Sequence, residues 1–290
     1  MATLLGRRRG LEADARSALV AALEDPIFEL LPLKNLPEQI PHLPAGARVS
    51  VTASPAKGID ATVDWAVKLQ ADGFRAIPHL SARMIPDRGT LAGLLDRARQ
   101  GDLTHGFVVG GDADEPGEYL DGLSLLKDMD ELGHPFTTLG CPGYPQGHPD
   151  ISDDALESAL HDKARYVDHV TTQMDFDVKA IGTWVRRERD AGLRPEIVIG
   201  VPGVADPQKL LSIAARIGVK DAKRFLVKNL RFVTGLAKSG GFYKPTGFVE
   251  EIAPLLADPD AKVTGFHLYT FNAVEATEEW RRSMLETLSA

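Results

Sequence analysis

The feature that most constrains the fold of this chain is a series of eight short apolar runs, separated by longer segments with helical periodicity. Continuous apolar runs of this length are typical of parallel strands that are covered on both faces. They predict strands over residues 28–33, 48–54, 75–80, 106–110, 136–141, 169–176, 196–201 and 263–271.

The segments between these runs predict helices. Acidic residues precede many of them and glycine often follows, as at Gly73, Gly133 and Gly192. The stretch from Asp221 to Asp260 has room for two helices, with a turn at residues 239–242. The other predicted helices cover residues 59–71, 91–99, 119–132, 153–165, 178–191 and 207–217. Eightfold alternation of strand and helix favours a closed (β/α)8 TIM barrel over an open doubly wound sheet.

Composition narrows the function classes. The 290 residues are 43% hydrophobic and 26% charged, which suits a single large domain, and the net charge of −8 argues against nucleic acid or anionic membrane as the main partner. One cysteine excludes an internal disulfide, and no apolar stretch approaches the roughly 20 residues of a membrane span. We therefore expect a cytoplasmic enzyme with a small-molecule substrate; its oligomeric state stays open.

The N-terminus carries an arginine cluster and then an alanine- and leucine-rich stretch. Charges at Glu12, Asp14 and Arg16 interrupt this stretch too early for the apolar segment of a signal peptide. We predict a helical extension over residues 1–25, which could close the bottom of the barrel, and a catalytic barrel over residues 26–290. Little chain follows the eighth predicted strand, so we expect no appended regulatory domain.

Polar residues stand at the predicted strand ends, where barrel enzymes collect their function. Glu29 interrupts an apolar run, so its carboxylate is either used chemically or neutralised by a buried Lys or Arg. Asp112 follows Gly110 and Gly111, which permit close approach of a ligand; the alternative is a helix or turn cap. The other such residues are Thr52, His79, Tyr144, His148, Gln173, His267 and Tyr269.

The sequence contains no clear motif for binding a metal or a nucleotide. His79, His148 and His267 together with Glu29 and Asp112 could suggest a metal site, but no His-x-His or Glu-x-x-His spacing supports one. A Gly-x-Gly-x-x-Gly fingerprint and a Walker A loop are both missing. A nicotinamide, if used, must therefore bind at the barrel mouth.

Eight motifs in order and in register resemble the methylenetetrahydrofolate reductase family, from residue 26 onward. They are Phe28-Glu29-Leu30-Leu31-Pro32, Val49-Ser50-Val51-Thr52, Pro78-His79-Leu80-Ser81, Gly110-Gly111-Asp112, Gly143-Tyr144-Pro145 with His148-Pro149, Thr172-Gln173-Met174-Asp175-Phe176-Asp177, Gly200-Val201-Pro202-Gly203 and Gly265-Phe266-His267-Leu268-Tyr269-Thr270-Phe271-Asn272. The resemblance implies a (β/α)8 barrel that reduces 5,10-methylenetetrahydrofolate to 5-methyltetrahydrofolate with a nicotinamide donor.

The resemblance also implies roles for single residues. Glu29 takes the place of the general acid, which protonates a folate nitrogen and opens the ring to an iminium ion; the apolar neighbours Phe28 and Leu30 favour its neutral form. Asp112 and Gln173 match residues that contact the pterin, and we assign Tyr269 to the same substrate.

Departures from the family pattern concern the flavin. Where the family pattern reads Leu-Arg-Gly-Asp, this chain has Gly110 in place of the arginine. Ala159 stands near the position at which the family has a flavin-binding asparagine, whereas the family's lysine is kept as Lys163. Each lost charge-assisted contact is worth about 1.5–3 kcal/mol. We therefore expect no FAD and a hydride passed directly from NADH or NADPH; FAD held in a different way is the alternative. The residues expected to bind the nicotinamide are Thr52, His79, Gly111, Tyr144, His148 and Lys163.

Three other interpretations stay open. One is a barrel oxidoreductase that uses a deazaflavin donor and a different one-carbon pterin carrier. Another is a metal-dependent lyase or isomerase built on Glu29, Asp112, His79 and His267. The third is a barrel without activity that serves as a scaffold, against which stands the stability cost of a buried carboxylate that has no use. The choice between NADH and NADPH cannot be read from the sequence.

Overall fold

Eight parallel strands close into a barrel in chain order in a computed structural model, which describes residues 11–54, 56–216 and 241–290. Each strand pairs with the next, and the last pairs with the first. The strands are β1 Ile27–Leu30, β2 Arg48–Val51, β3 Arg75–Ser81, β4 His105–Val109, β5 Thr138–Gly143, β6 His169–Thr172, β7 Glu196–Pro202 and β8 Val263–Tyr269. All eight predicted strands and the (β/α)8 class are confirmed.

Helices surround this barrel. They are α1 Ala13–Glu24, α2 Leu36–Gln39, α3 Gly58–Ala71, α4 Arg88–Gln100, α5 Gly122–Leu132, α6 Asp153–Lys163, α7 Val178–Asp190, α8 Pro207–Arg216, α9 Thr246–Leu256 and α10 Val274–Ser289, with 3-10 turns at Ile40–His42 and Ala82–Met84. In the parts of the chain that the structure describes, no helix has the length and apolar character needed to cross a membrane.

Two of the boundaries that differ from the sequence prediction are set by aspartates that accept hydrogen bonds from nearby backbone amides. α5 begins at Gly122 rather than residue 119, since the Asp121 carboxylate accepts a hydrogen bond from the Ser124 amide at 2.8 Å. β6 ends at Thr172 rather than residue 176. Beyond it, Asp175 accepts bonds from the next two backbone amides, which turns the chain out of the sheet. Of the two helices predicted between residues 221 and 260, α9 is present; residues 221–240 lie outside the described residues.

The N-terminal helix α1 packs against α9, α10 and β8. Its residues Leu19 and Leu23 are fully buried. Arg281 of α10 forms an almost completely buried ion pair with Glu278 at 2.6 Å and donates a hydrogen bond to the carbonyl of Leu23 at 2.7 Å. The extension is therefore anchored to the barrel by both apolar burial and a buried cation.

The inside of the barrel changes character along its axis. A small apolar cluster inside the barrel contains Ile27, Ile77, Phe107 and Val198. Two residues further along their strands, and so nearer the C-terminal ends, Ile27 and Ile77 are followed by the polar side chains Glu29 and His79. The polar groups that the sequence places at strand ends thus sit above an apolar floor.

Glycines make room for two large side chains in this interior. A Cβ atom on Gly140 would lie 2.3 Å from Nε2 of His169, and one on Gly200 would lie 2.6 Å from Cε2 of Tyr269. No other residue type fits at these two positions while the rings keep their places.

Candidate active site

Glu29 lies near the C-terminal end of β1 with its side chain inside the barrel. The residue is 8% exposed, and its Oε2 lies 3.2 Å from Nε2 of His267, which is 2% exposed. The sequence left open a buried pair with Lys or Arg, but the only partner that the carboxylate has among the described residues is this histidine. The acid is therefore held by a group that itself exchanges protons.

The segment after β8 fixes the end of β1. The hydroxyl of Thr270 donates to the carbonyl of Glu29. The side chain of Asn272 bonds both backbone groups of Leu31, accepting from the amide at 2.8 Å and donating to the carbonyl at 2.9 Å. Asn272 has a left-handed backbone, with φ of 57°, which asparagine tolerates better than most residues. These bonds set the position from which Glu29 projects.

His79 and Tyr269 flank the pair of Glu29 and His267. The ring of His267 lies 4.9 Å from that of Tyr269 and 6.3 Å from that of His79. Burial lowers the pKa of His79 to about 3, with a smaller contribution from His267, so the imidazole is neutral. Burial, with Glu29 and Tyr144 nearby, raises the pKa of Tyr269 well above 10, and its phenol donates to the carbonyl of Thr172 at 3.0 Å.

Several polar atoms in this part of the barrel are buried without a hydrogen-bond partner among the described residues. They include Nε2 of His79 and the hydroxyls of Ser50, Thr52 and Thr171. A buried polar atom without a partner costs about 1–3 kcal/mol, which a bound polar ligand would recover. Of the predicted cofactor residues, Thr52 and His79 each carry such an atom.

Asp112 follows β4 and is exposed, as is Gly111. Gly111 has φ of 87°, and a Cβ atom there would lie 2.0 Å from the hydroxyl of Ser81. Gly110, by contrast, has nothing within 4 Å of its hypothetical Cβ. The position at which the family carries arginine is therefore open space rather than filled by another group.

The loops after β5 and β6 carry Tyr144, His148 and Gln173. The rings of Tyr144 and His148 meet edge to face at 5.6 Å, and burial raises the pKa of Tyr144 to about 12. The backbone amide of Gln173 donates to the carbonyl of Gly143 at 2.7 Å, which sets it beside the Tyr144 loop. Its side-chain oxygen accepts from the amide of Met174 at 2.9 Å.

A second link joins these loops. Gln146 donates to Oδ1 of Asp175 at 2.6 Å, while Oδ2 of Asp175 is buried without a described partner. Burial raises the pKa of Asp175 to about 6, against the opposing effect of the hydrogen bonds that it accepts. The two loops are thus joined by this hydrogen bond to a buried acid as well as by the backbone bond between Gln173 and Gly143.

Lys163 lies at the end of α6, in a cavity of about 240 Å³ between the Tyr144 loop, α6 and α7. Ala159, Trp184 and Arg187 also line this cavity. Tyr144 borders this cavity and also lies near Tyr269. The predicted site residues therefore fall into a central group around Glu29, an outer group at this cavity, and Asp112, for which no contact with either group is described.

Sequence reasoning missed three residues that shape the site: His169, Asp175 and Asn272. His169 stands at the start of its strand, so its position gave no sign of a role; the glycine at residue 140, which makes room for its ring, was the available signal. Burial lowers the pKa of His169 to about 4.

Within the described residues, no three His, Cys, Asp or Glu side chains are grouped so that they could hold a metal ion.

The sequence was compared with those of known protein families and proteins. The sequence profile of the methylenetetrahydrofolate reductase family matches residues 32–284, which is most of the chain. The chain belongs to the methylenetetrahydrofolate reductase family. Methylenetetrahydrofolate reductase 1 of Schizosaccharomyces pombe is 27% identical over 198 residues, which make up 63% of this chain. The chain spans about a third of that relative, since the match covers 31% of its length.

Two solved structures are similar to this methylenetetrahydrofolate reductase family member at lower sequence identity. A putative lyase/mutase from Burkholderia cenocepacia is 15% identical, with a TM-score of 0.47 and coverage of 96% of this chain and 86% of the other. A GH18 chitinase from Cycas revoluta is 13% identical, with a TM-score of 0.41 and coverage of 61% and 68%. Likeness at this level carries no argument about activity.

Proposed function

We propose that this protein reduces 5,10-methylenetetrahydrofolate to 5-methyltetrahydrofolate, with a hydride taken directly from NADH or NADPH and Glu29 as the general acid. Family membership supports the reaction. The observation that carries the proposal is a buried carboxyl group above an apolar floor, bonded to a histidine rather than neutralised by a Lys or Arg among the described residues.

The reaction needs a proton before it needs a hydride. The bridging methylene of the substrate becomes a good hydride acceptor only when a folate nitrogen is protonated and the five-membered ring opens to an iminium ion. Glu29 supplies this proton to the nitrogen, and the carbon–nitrogen bond breaks with its electron pair left on nitrogen. Glu29 is 8% exposed, so the step takes place where water is largely excluded.

The residues proposed to hold the nicotinamide suit a neutral, polar ring. Thr52 and His79 offer buried polar atoms that have no described partner, and Gly111 leaves backbone close to the mouth. Tyr144 and His148 present aromatic surface, and Lys163 gives a cation for phosphate at the outer cavity. The reduced nicotinamide supplies the hydride when it is bound.

The residues proposed for the substrate differ in what they offer. Asp112 is an exposed carboxylate that can accept hydrogen bonds from the amino and ring N–H groups of the pterin and favour the developing cation. Gln173 can turn its amide, now bonded to its own neighbour, to donate and accept. Tyr269 keeps its proton, which it donates to the carbonyl of Thr172, so its oxygen can accept a hydrogen bond near Glu29.

The first test is the visible spectrum of protein purified without added flavin, followed by oxidation of NADH or NADPH in the presence of methylenetetrahydrofolate. Direct transfer predicts a colourless protein that oxidises the dinucleotide only when the folate is present. A yellow protein that the dinucleotide bleaches would instead establish the FAD-mediated route. A protein that fails to turn over both alone and with added FAD would refute the proposed reaction.

Two variants test the assigned roles. Glu29→Gln should lower kcat about 10²- to 10⁴-fold, the usual contribution of general acid catalysis, while binding of the dinucleotide is retained. His79→Ala should weaken dinucleotide binding. Loss of activity towards the folate with unchanged dinucleotide affinity in His79→Ala would contradict the place given to this histidine. Lys127→Ala, on the outer helix α5, serves as the control for both.

A further inference from the structure

His267 is the one side chain that bonds to the carboxyl group of Glu29 among the described residues. The register of β1 and β8 pairs Ile27 with His267 and Glu29 with Tyr269, so the two side chains meet diagonally across the seam at which the barrel closes. Their atoms Oε2 and Nε2 lie 3.2 Å apart, and no described residue bonds to Oε1.

The other groups around this pair keep a single protonation state near neutral pH. Burial lowers the pKa of His79 to about 3 and that of His169 to about 4, so both rings are neutral. The phenols of Tyr269 and Tyr144 keep their protons, because burial raises the pKa of each. The strands β2, β4 and β7 present the non-titrating residues Ser50, Phe107 and Gly200. Arg48 acts on His169 from the base of the barrel and stays charged.

From this arrangement, which rests on the proposed function, we infer that His267 is a positioning residue that holds Glu29 and shares its catalytic proton. Besides the ring proton of the neutral histidine, the loaded pair contains one transferable proton, which lies on the carboxyl group or on Nε2. When that proton passes to the folate nitrogen, the pair is left with one negative charge. One proton taken up from solvent restores it, and no electrons are exchanged.

Sharing has a physical advantage over a lone carboxyl group. A buried carboxylate that has just lost its proton would cost several kcal/mol unless a donor faces it. A histidine can face either form. Nε2 accepts a hydrogen bond from the acid when the ring proton is on Nδ1, and it donates one to the carboxylate when the ring proton has moved to Nε2. The bond to Oε2 also orients the carboxyl group so that Oε1 is left for the substrate.

Proton sharing can be measured without catalysis. We expect the Cε1 resonance of His267, assigned by its loss in His267→Asn, to titrate at lower pH in Glu29→Gln than in the wild type. The midpoint should fall by about one pH unit or more, the usual effect of removing an opposite charge within about 4 Å. The same midpoint in both proteins would overturn the inference.

The reaction gives a second, separate measurement. In the wild type, kcat/KM should fall with rising pH at a midpoint that belongs to the pair. In His267→Asn and His267→Gln this midpoint should move to lower pH, because only the carboxyl group then holds the proton. A purely structural role would lower kcat without moving the midpoint, and that result would overturn the inference. If the wild type has no activity with folate, the proposed function fails, whereas the resonance measurement still decides whether the pair shares a proton.

Discussion

Two buried histidines should make this protein lose stability on acidification. Burial lowers the pKa of His79 from 6.5 to about 3 and that of His169 to about 4, and His267 adds to both shifts. In the unfolded chain, both side chains take up a proton near pH 6.5. Below that pH the unfolded state therefore binds more protons than the native state. The free energy of unfolding consequently falls with the pH until the pH reaches the pKa values of the two histidines in the native state.

The size of the effect at pH 5 follows from these values. That pH lies 1.5 units below 6.5 and above both native pKa values. At about 1.4 kcal/mol for each unit, each histidine lowers the free energy of unfolding by about 2 kcal/mol, and the two together by about 4 kcal/mol. Asp175 acts in the opposite direction. Its pKa is raised to about 6, so its protonation at pH 5 raises the free energy of unfolding by about 1.4 kcal/mol.

Urea unfolding at pH 7.5 and pH 5.0 can separate these contributions. The quantity to compare is the stability lost between the two pH values, because groups common to both proteins then cancel. The loss in His79→Gln should be smaller than in the wild type by about 2 kcal/mol, and in the double variant with His169→Gln by about 4 kcal/mol. His42→Gln, which removes a partly exposed histidine, is the control. An equal loss in the wild type and in His79→Gln would refute the reasoning.

Two matched pairs of variants test other parts of the structure. Gly111→Ala should lower the free energy of unfolding by about 1–3 kcal/mol in urea, because of its positive φ and the close Ser81 hydroxyl. Gly110→Ala, where the space is open, should change it by less than about 0.5 kcal/mol, and equal costs would contradict this difference. Arg281→Ala should cost about 3–5 kcal/mol because it leaves a buried carboxylate without its main partner. Arg282→Ala, whose side chain is 63% exposed, should cost less than about 1 kcal/mol by thermal unfolding, and a larger loss there than in Arg281→Ala would refute this ranking.

The fold could be predicted because the signal for it is repeated. Each apolar run is short and flanked by turn residues, and eight of them alternate with helical segments, so an error in one boundary leaves the barrel intact. Boundaries failed where a single side chain decides them. Asp121 and Asp175 end or start elements through bonds to nearby amides, and such local competition is not visible in apolar periodicity.

The candidate site was predictable only as a set of strand ends. The motifs identified Glu29 and His267 separately, but the two are 238 positions apart in the sequence, and their contact depends on the register of the two strands that close the barrel. His169 escaped notice because the space for its ring depends on a glycine on the neighbouring strand, at residue 140. Pairings of this kind follow from three-dimensional register and not from spacing along the chain.

Closure of the barrel therefore also assembles the pair of residues on which the proposed proton chemistry depends. β1 and β8 meet only when the sheet is complete, and their meeting brings His267 to Glu29. Thr270 and Asn272, from the end of the same β8 segment, then bond the backbone of Glu29 and Leu31. An acid placed on an interior strand of an open sheet would lack both the histidine and this clamp. Changes that loosen the β1–β8 seam should consequently separate Glu29 from His267 before they unfold the barrel.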